Sequence, residues 1–116
     1  MPLQKNDDLE KFNFYLHARF ELFSSILLSS LIMKPSEREI NKTISKIGKF
    51  ETERLYNHFH MSAITNDATR QREYAVRLWN QWRTFFFNEM PHKNIVIEII
   101  DQGNETILYV YQEVFV

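Results

Sequence analysis

The chain has 116 residues, with 14 Lys plus Arg against 15 Asp plus Glu, four His, two Gly and no Cys. That length suits one domain spanning residues 1–116, and the absence of cysteine excludes thiol nucleophiles, iron–sulfur clusters and Cys-ligated zinc. A formal net charge of −1 removes the simple electrostatic case for nucleic acid or an acidic membrane as the default partner.

Apolar residues make up 44% of the chain and charged residues 25%, the balance of a folded globular domain rather than a disordered one. Ten Phe, five Tyr and two Trp accompany only three Pro and two Gly, so large rings must fill a core or a contact surface, and few breakers interrupt the elements. The most apolar stretch, Leu22 to Met33, is too short for a bilayer span, which needs about 20 residues. The acidic groups Asp7, Asp8, Glu10 and Glu21 interrupt the N-terminal stretch and no small-residue cleavage site follows, which argues against a signal peptide. The expectation is a cytoplasmic protein with no membrane contact.

Leu9, Phe12, Leu16, Phe20, Phe23, Leu27 and Leu31 recur at steps of three and four, the stripe of an amphipathic helix predicted over about 7–33. Lys34-Pro35 ends it. Ser36 followed by Glu39 is a capping box that opens a second helix, and Ile40, Ile44, Ile47, Leu55 and Phe59 carry its inner face to about residue 62. Gly48 lies inside that span. No Pro or turn cluster accompanies it, so one continuous helix over 36–62 is expected. Thr65-Asn66-Asp67 is a polar break with cap candidates. Ala75, Leu78, Trp79, Trp82, Phe85 and Phe86 then mark a third helix over about 67–90, stopped by Pro91.

Beyond Pro91 the period changes. Ile95, Val96, Ile97, Ile99 and Ile100 are β-branched, Gln102-Gly103-Asn104 reads as a turn, and Ile107 to Val116 alternates, which predicts a β-hairpin over about 94–116. The fold class expected is α+β, mainly α: an antiparallel bundle of three long helices, about 24–27 residues each, followed by a C-terminal hairpin.

Two strands alone are marginal in water, and both faces of the second strand are apolar. Leu108, Val110, Val114 and Val116 lie on one side; Ile107, Tyr109, Tyr111 and Phe115 lie on the other. Phe85, Phe86 and Phe87 cannot share one helix face, because successive helical residues turn by about 100°. The favoured function is therefore a non-enzymatic protein–protein interaction module, an adaptor, inhibitor or regulatory subunit that pairs as a homodimer or binds another protein. Its contact residues would be Phe86, Phe87, Tyr109, Tyr111 and Phe115, together with the hairpin edges.

Charge supplies the second reading. Residues 34–54 hold six basic and four acidic groups. Arg38, Lys42, Lys46 and Lys49 fall on one side of the second helix, and Arg70, Arg72, Arg77 and Arg83 follow on the third. A nucleic-acid-binding regulator would use that face against phosphates, whereas a solvated helix surface explains the same pattern without a ligand.

No glycine-rich phosphate loop, nucleophile elbow or H-E-x-x-H motif is present, so no catalytic residue and no cofactor are assigned. In a helix, His58 and His60 would point about 200° apart, so no metal site is assigned either. Arg54, five intervening residues and His60, with Asn57 between them, resemble the R-x4-6-H signature of the HEPN ribonucleases over seven residues. That resemblance implies an all-helical protein whose paired Arg and His act at a dimer cleft, and it is the third reading.

Overall fold

The computed structural model of the chain describes residues 2–114. In chain order it forms α1 (Pro2–Leu16), β1 (Phe20–Phe23), β2 (Ile26–Ser29), α2 (Glu37–Tyr56), β3 (His58–His60), a 3-10 turn (Met61–Ala63), α3 (Ala68–Glu89), β4 (Ile95–Gln102) and β5 (Glu105–Gln112). Strands β1 and β2 pair as a separate ribbon, and the other three form an antiparallel sheet in the order β3-β5-β4. This overturns the expected bundle: helices alternate with strands, and the C-terminal hairpin is part of a larger sheet.

The first helix ends at Leu16, not near residue 33. Its last turn is taken up from outside, because the Trp82 indole N–H donates to the Tyr15 carbonyl at 3.1 Å. Residues 20–29 then turn back on themselves through Ser24 and Ser25, whose φ values of 52° and 68° give the doubly left-handed two-residue turn typical of hairpins. The three-and-four spacing of Phe20, Phe23 and Leu27 is thus a coincidence of two strands. Ile26, Leu27 and Leu28 are all buried, and a short apolar run buried on both faces carries no period of its own. Ile26 and Leu28 pack on Ile40 of α2, while Leu27 and Phe20 enter the main core.

The second helix is also not continuous. Ser36 caps it as expected: its hydroxyl accepts from the Glu39 N–H at 3.1 Å, and Glu39 returns the bond. Gly48, however, sits at φ 84°, ψ 167°, a conformation almost restricted to glycine, so the helix kinks there. Before the kink Ile40 faces the β1–β2 ribbon; after it Phe50, Glu53 and Arg54 face the sheet. The helix stops at Tyr56, and His58–His60, expected to be helical, pair with β5 instead.

Asp67 caps α3, accepting from the Arg70 N–H at 3.1 Å. Its buried face, Tyr74, Ala75, Leu78, Trp82 and Phe86, lies against Phe59, Leu108 and Val110 of the sheet. Trp82 is fully enclosed, with Phe20 and Phe59 edge-on at 5.3 Å each. Phe12 of α1 stacks on Tyr74 at 4.6 Å. The β4–β5 turn places Gly103, φ 64°, between Gln102 and Glu105, which pair across it.

Among the described residues, no helix is long and apolar enough to cross a membrane.

Candidate functional site

Strand β5 is the middle strand, yet its neighbour β3 has only three residues, too few to pair along its whole length. Side chains and one loop carbonyl complete the edge. The Gln71 side chain takes the Thr106 N–H at 3.0 Å, and Leu108 lies opposite Phe59. The Asn57 carbonyl takes the Val110 N–H at 2.9 Å, and the Glu53 carboxylate takes the Gln112 N–H. Buried backbone donors are rarely left unpaired, so each of these groups occupies a position that a longer strand would fill.

Glu53 is fully buried and works in two directions. Its other oxygen accepts from the Leu27 N–H at 2.6 Å and from the Gln112 side chain at 2.8 Å. Asn57 donates to the Leu27 carbonyl at 2.6 Å, so the two side chains together hold both backbone groups of Leu27 as a strand would. The Gln112 side chain also donates to the Ser25 carbonyl at 3.1 Å. Burial raises the Glu53 pKa above the ordinary carboxylate value, although the donors from Gln112 and Leu27 oppose that shift. These contacts join the two sheets and read as architecture.

The outer face of the main sheet is chemically richer. Arg54 lies over Tyr109 at 4.4 Å and Tyr111 at 5.1 Å, and pairs with Glu98 at 3.1 Å. The Tyr111 hydroxyl donates to the same Glu98 oxygen at 3.2 Å, and Phe50 stands edge-on to Tyr111 at 5.1 Å. His58 stacks beside Tyr109, and His60 bonds Glu105, which also accepts from the Ser62 hydroxyl at 2.6 Å. The face expected to need a partner is therefore covered at one end by the chain's own α2.

Comparison with known proteins finds no match to this chain among family models, curated proteins or solved structures.

The residues expected to form one contact surface are dispersed. Phe86 is buried in the core against Phe20, and Phe87 on the next position is 78% exposed. Tyr109 and Tyr111 are half-buried on the opposite face of the sheet from α3. Phe115 lies outside the described residues. Phe87, with Phe86, Met90, Pro91, Ile95, Ile97 and the cations Arg83 and Lys93, lines a groove of about 180 Å3 between the end of α3 and the start of β4.

Strand β4 forms the outer edge of the sheet over eight residues, and no other strand among the described residues pairs with that side. The register turns the backbone groups of Ile95, Ile97, Ile99 and Asp101 outward, since Val110 and Gln112 direct their own N–H groups the other way. One outward carbonyl is covered: the Trp79 indole donates to Ile97 at 2.8 Å.

Of the basic stripe, Arg38, Lys42 and Lys46 are exposed along the first half of α2, while Lys49 follows the kink and leaves their phase. On α3, Arg70 pairs with Asp8 at 3.5 Å and Arg72 pairs with Asp101, so part of that face is internally neutralised. Arg54 and His60 both reach the outer sheet face, Arg54 from the last turn of α2 and His60 from β3. A second cavity, about 400 Å3, lies at the base of the β1–β2 ribbon and includes Arg19, Glu21, Ser30 and Lys34. Its cations are matched, Arg19 with Glu89 and Lys34 with Glu21.

Proposed function

We propose that the chain acts by occupancy, as a protein–protein interaction module whose docking edge is β4. The observation that supports this is the open side of an eight-residue strand of five Ile and Val residues, directly beside the groove where Phe87, Met90 and Pro91 stand with Arg83 and Lys93. A strand edge of that length and composition, with only the Ile97 carbonyl taken by Trp79 among the described residues, pairs readily with another strand, and it carries none of the Lys or Pro residues that usually protect such edges. An added strand would take its main-chain bonds from β4 and place side chains in the groove, the logic of strand addition. The partner class is an extended apolar segment, contributed by a second copy or by another protein.

Solution mass after mild purification, measured by light scattering and native mass spectrometry, separates those two sources. Val96→Lys introduces a charge on the open strand, and Phe87→Ser removes the exposed ring; each should weaken association at least tenfold while the circular dichroism of the fold is kept. A parent chain that is strictly monomeric and carries no bound protein overturns the proposal.

A further inference from the structure

We propose that His58 and His60 form a two-imidazole chelate for a transition-metal dication of the Cu2+, Ni2+ and Zn2+ class. Sequence periodicity had placed these residues on opposite sides of a helix. Strand β3 instead puts them on one face, two residues apart, with ring centres 5.2 Å from each other and planes at 75°. Two imidazoles bound to one tetrahedral ion at about 2.0–2.1 Å have ring centres about 5 Å apart, so the observed spacing suits a shared ion.

The hydrogen bonds decide which nitrogen is available. His58 Nδ1 lies 2.7 Å from the Leu55 carbonyl oxygen, and His60 Nδ1 lies 2.6 Å from a Glu105 carboxylate oxygen. A carbonyl only accepts, and so does an ionised carboxylate; each ring must therefore donate from Nδ1. In the neutral ring this leaves the Nε2 lone pair free for a ligand. A carbonyl or a carboxylate holding the far nitrogen is the usual support behind a metal-binding histidine, because it fixes the tautomer and orients the ring. Glu105 is itself anchored by Ser62 at 2.6 Å.

The surrounding charge favours a cation. Glu105 stands behind His60, and Arg54, on the same face, is already paired with Glu98. His60 is partly exposed, its side chain retaining 43% of its accessible surface. Among the described residues, no cluster of three or more His, Cys, Asp or Glu side chains is arranged to hold a metal. The chelate is therefore an open one, with two protein nitrogens and the remaining positions filled by water or by a ligand from outside. Imidazole pairs suit copper, nickel and zinc, with copper bound most tightly, and have little affinity for magnesium.

The test titrates the full chain with CuCl2, NiCl2, ZnCl2 and MgCl2 by calorimetry, with the copper complex examined by electron paramagnetic resonance. One Cu2+ per chain, a signal split by two nitrogens, and no heat from Mg2+ are expected. His58→Gln and His60→Gln should each weaken Cu2+ binding at least tenfold, while His17→Gln combined with His92→Gln leaves it unchanged. Glu105→Gln should weaken binding about tenfold and keep the one-to-one ratio, as loss of an outer support does. A measurement on the unaltered chain guards against variants that fail to fold: Zn2+ should protect His58 and His60, but not His17 and His92, from acylation by diethyl pyrocarbonate, read by mass spectrometry. No Cu2+ binding, equal binding by the folded His58→Gln and His60→Gln variants, or equal acylation with and without Zn2+ overturns the proposal.

Discussion

The carboxylate of Glu53 accepts the backbone N–H of Gln112 where β3 has already ended, so one side chain on α2 substitutes for a missing stretch of strand. The same carboxylate holds the Leu27 N–H of the other ribbon. Glu53→Ala therefore strips partners from two buried backbone donors at once, and each such group costs about 1–3 kcal/mol. Urea unfolding should show a loss of about 2–4 kcal/mol, because removal of a buried carboxylate offsets part of the damage. Glu53→Gln should recover only part of it, since an amide supplies one acceptor oxygen and turns its other atom into a donor facing donors.

Stability should depend on pH through Glu53 and Glu105 with opposite signs. Burial raises the Glu53 pKa, so between the unfolded carboxylate value and the raised native value the folded state holds more protons. Its contribution falls as pH rises through that window and is level above it. Hydrogen bonds from Ser62 and His60 lower the Glu105 pKa, so its contribution is present above the unfolded value and is lost as pH falls through the native one. Urea midpoints from about pH 3 to about pH 8 should accordingly lose their acid-side fall in Glu105→Gln and their fall on the alkaline side of the carboxylate range in Glu53→Gln.

The elements legible in the sequence are those whose ends carry local chemistry. Ser36 and Glu39 start α2, Asp67 starts α3, and the β4–β5 strands announce themselves by β-branched residues around Gly103. What escaped is decided by tertiary pairing. Residues 20–29 satisfy a helical stripe and a hairpin equally well, and the choice follows from where Ile26, Leu27 and Leu28 are buried, on two sides at once. His58-Phe59-His60 is too short to show alternation, and it is a strand because β5 lies beside it. That error hid the pairing of His58 with His60, since the wrong element places their rings apart. The alternation of β5 predicts that Tyr109 and Tyr111 share one strand face, but nothing local shows that Arg54 and Phe50 cover them.

The turn of the first ribbon is held in a conformation its residues disfavour. Ser24 and Ser25 both have positive φ, which costs about 1–2 kcal/mol per residue for side chains other than glycine or asparagine. Ser24→Asn with Ser25→Gly is the pair this turn prefers, and it should raise stability by about 1 kcal/mol, with the unfolding temperature rising by a few degrees. Equal or lower stability would mean that these hydroxyls supply compensating bonds in solution.

Gly48 allows α2 to serve two surfaces. A straight helix would carry the Ile40 face onward past the ribbon, but the break at φ 84° redirects the second half so that Phe50, Glu53 and Arg54 meet the sheet. A Cβ at position 48 would have no heavy atom within 4 Å, so the obstacle to any other residue is the backbone conformation alone and not crowding. Gly48→Ala should therefore destabilise the chain by about 1–3 kcal/mol without creating a clash. If the alanine variant instead straightens the helix, Glu53 is drawn off the Gln112 and Leu27 donors. Hydrogen exchange at those two amides distinguishes the outcomes: protection retained at lower global stability means local strain, and protection lost selectively means that the kink positions Glu53.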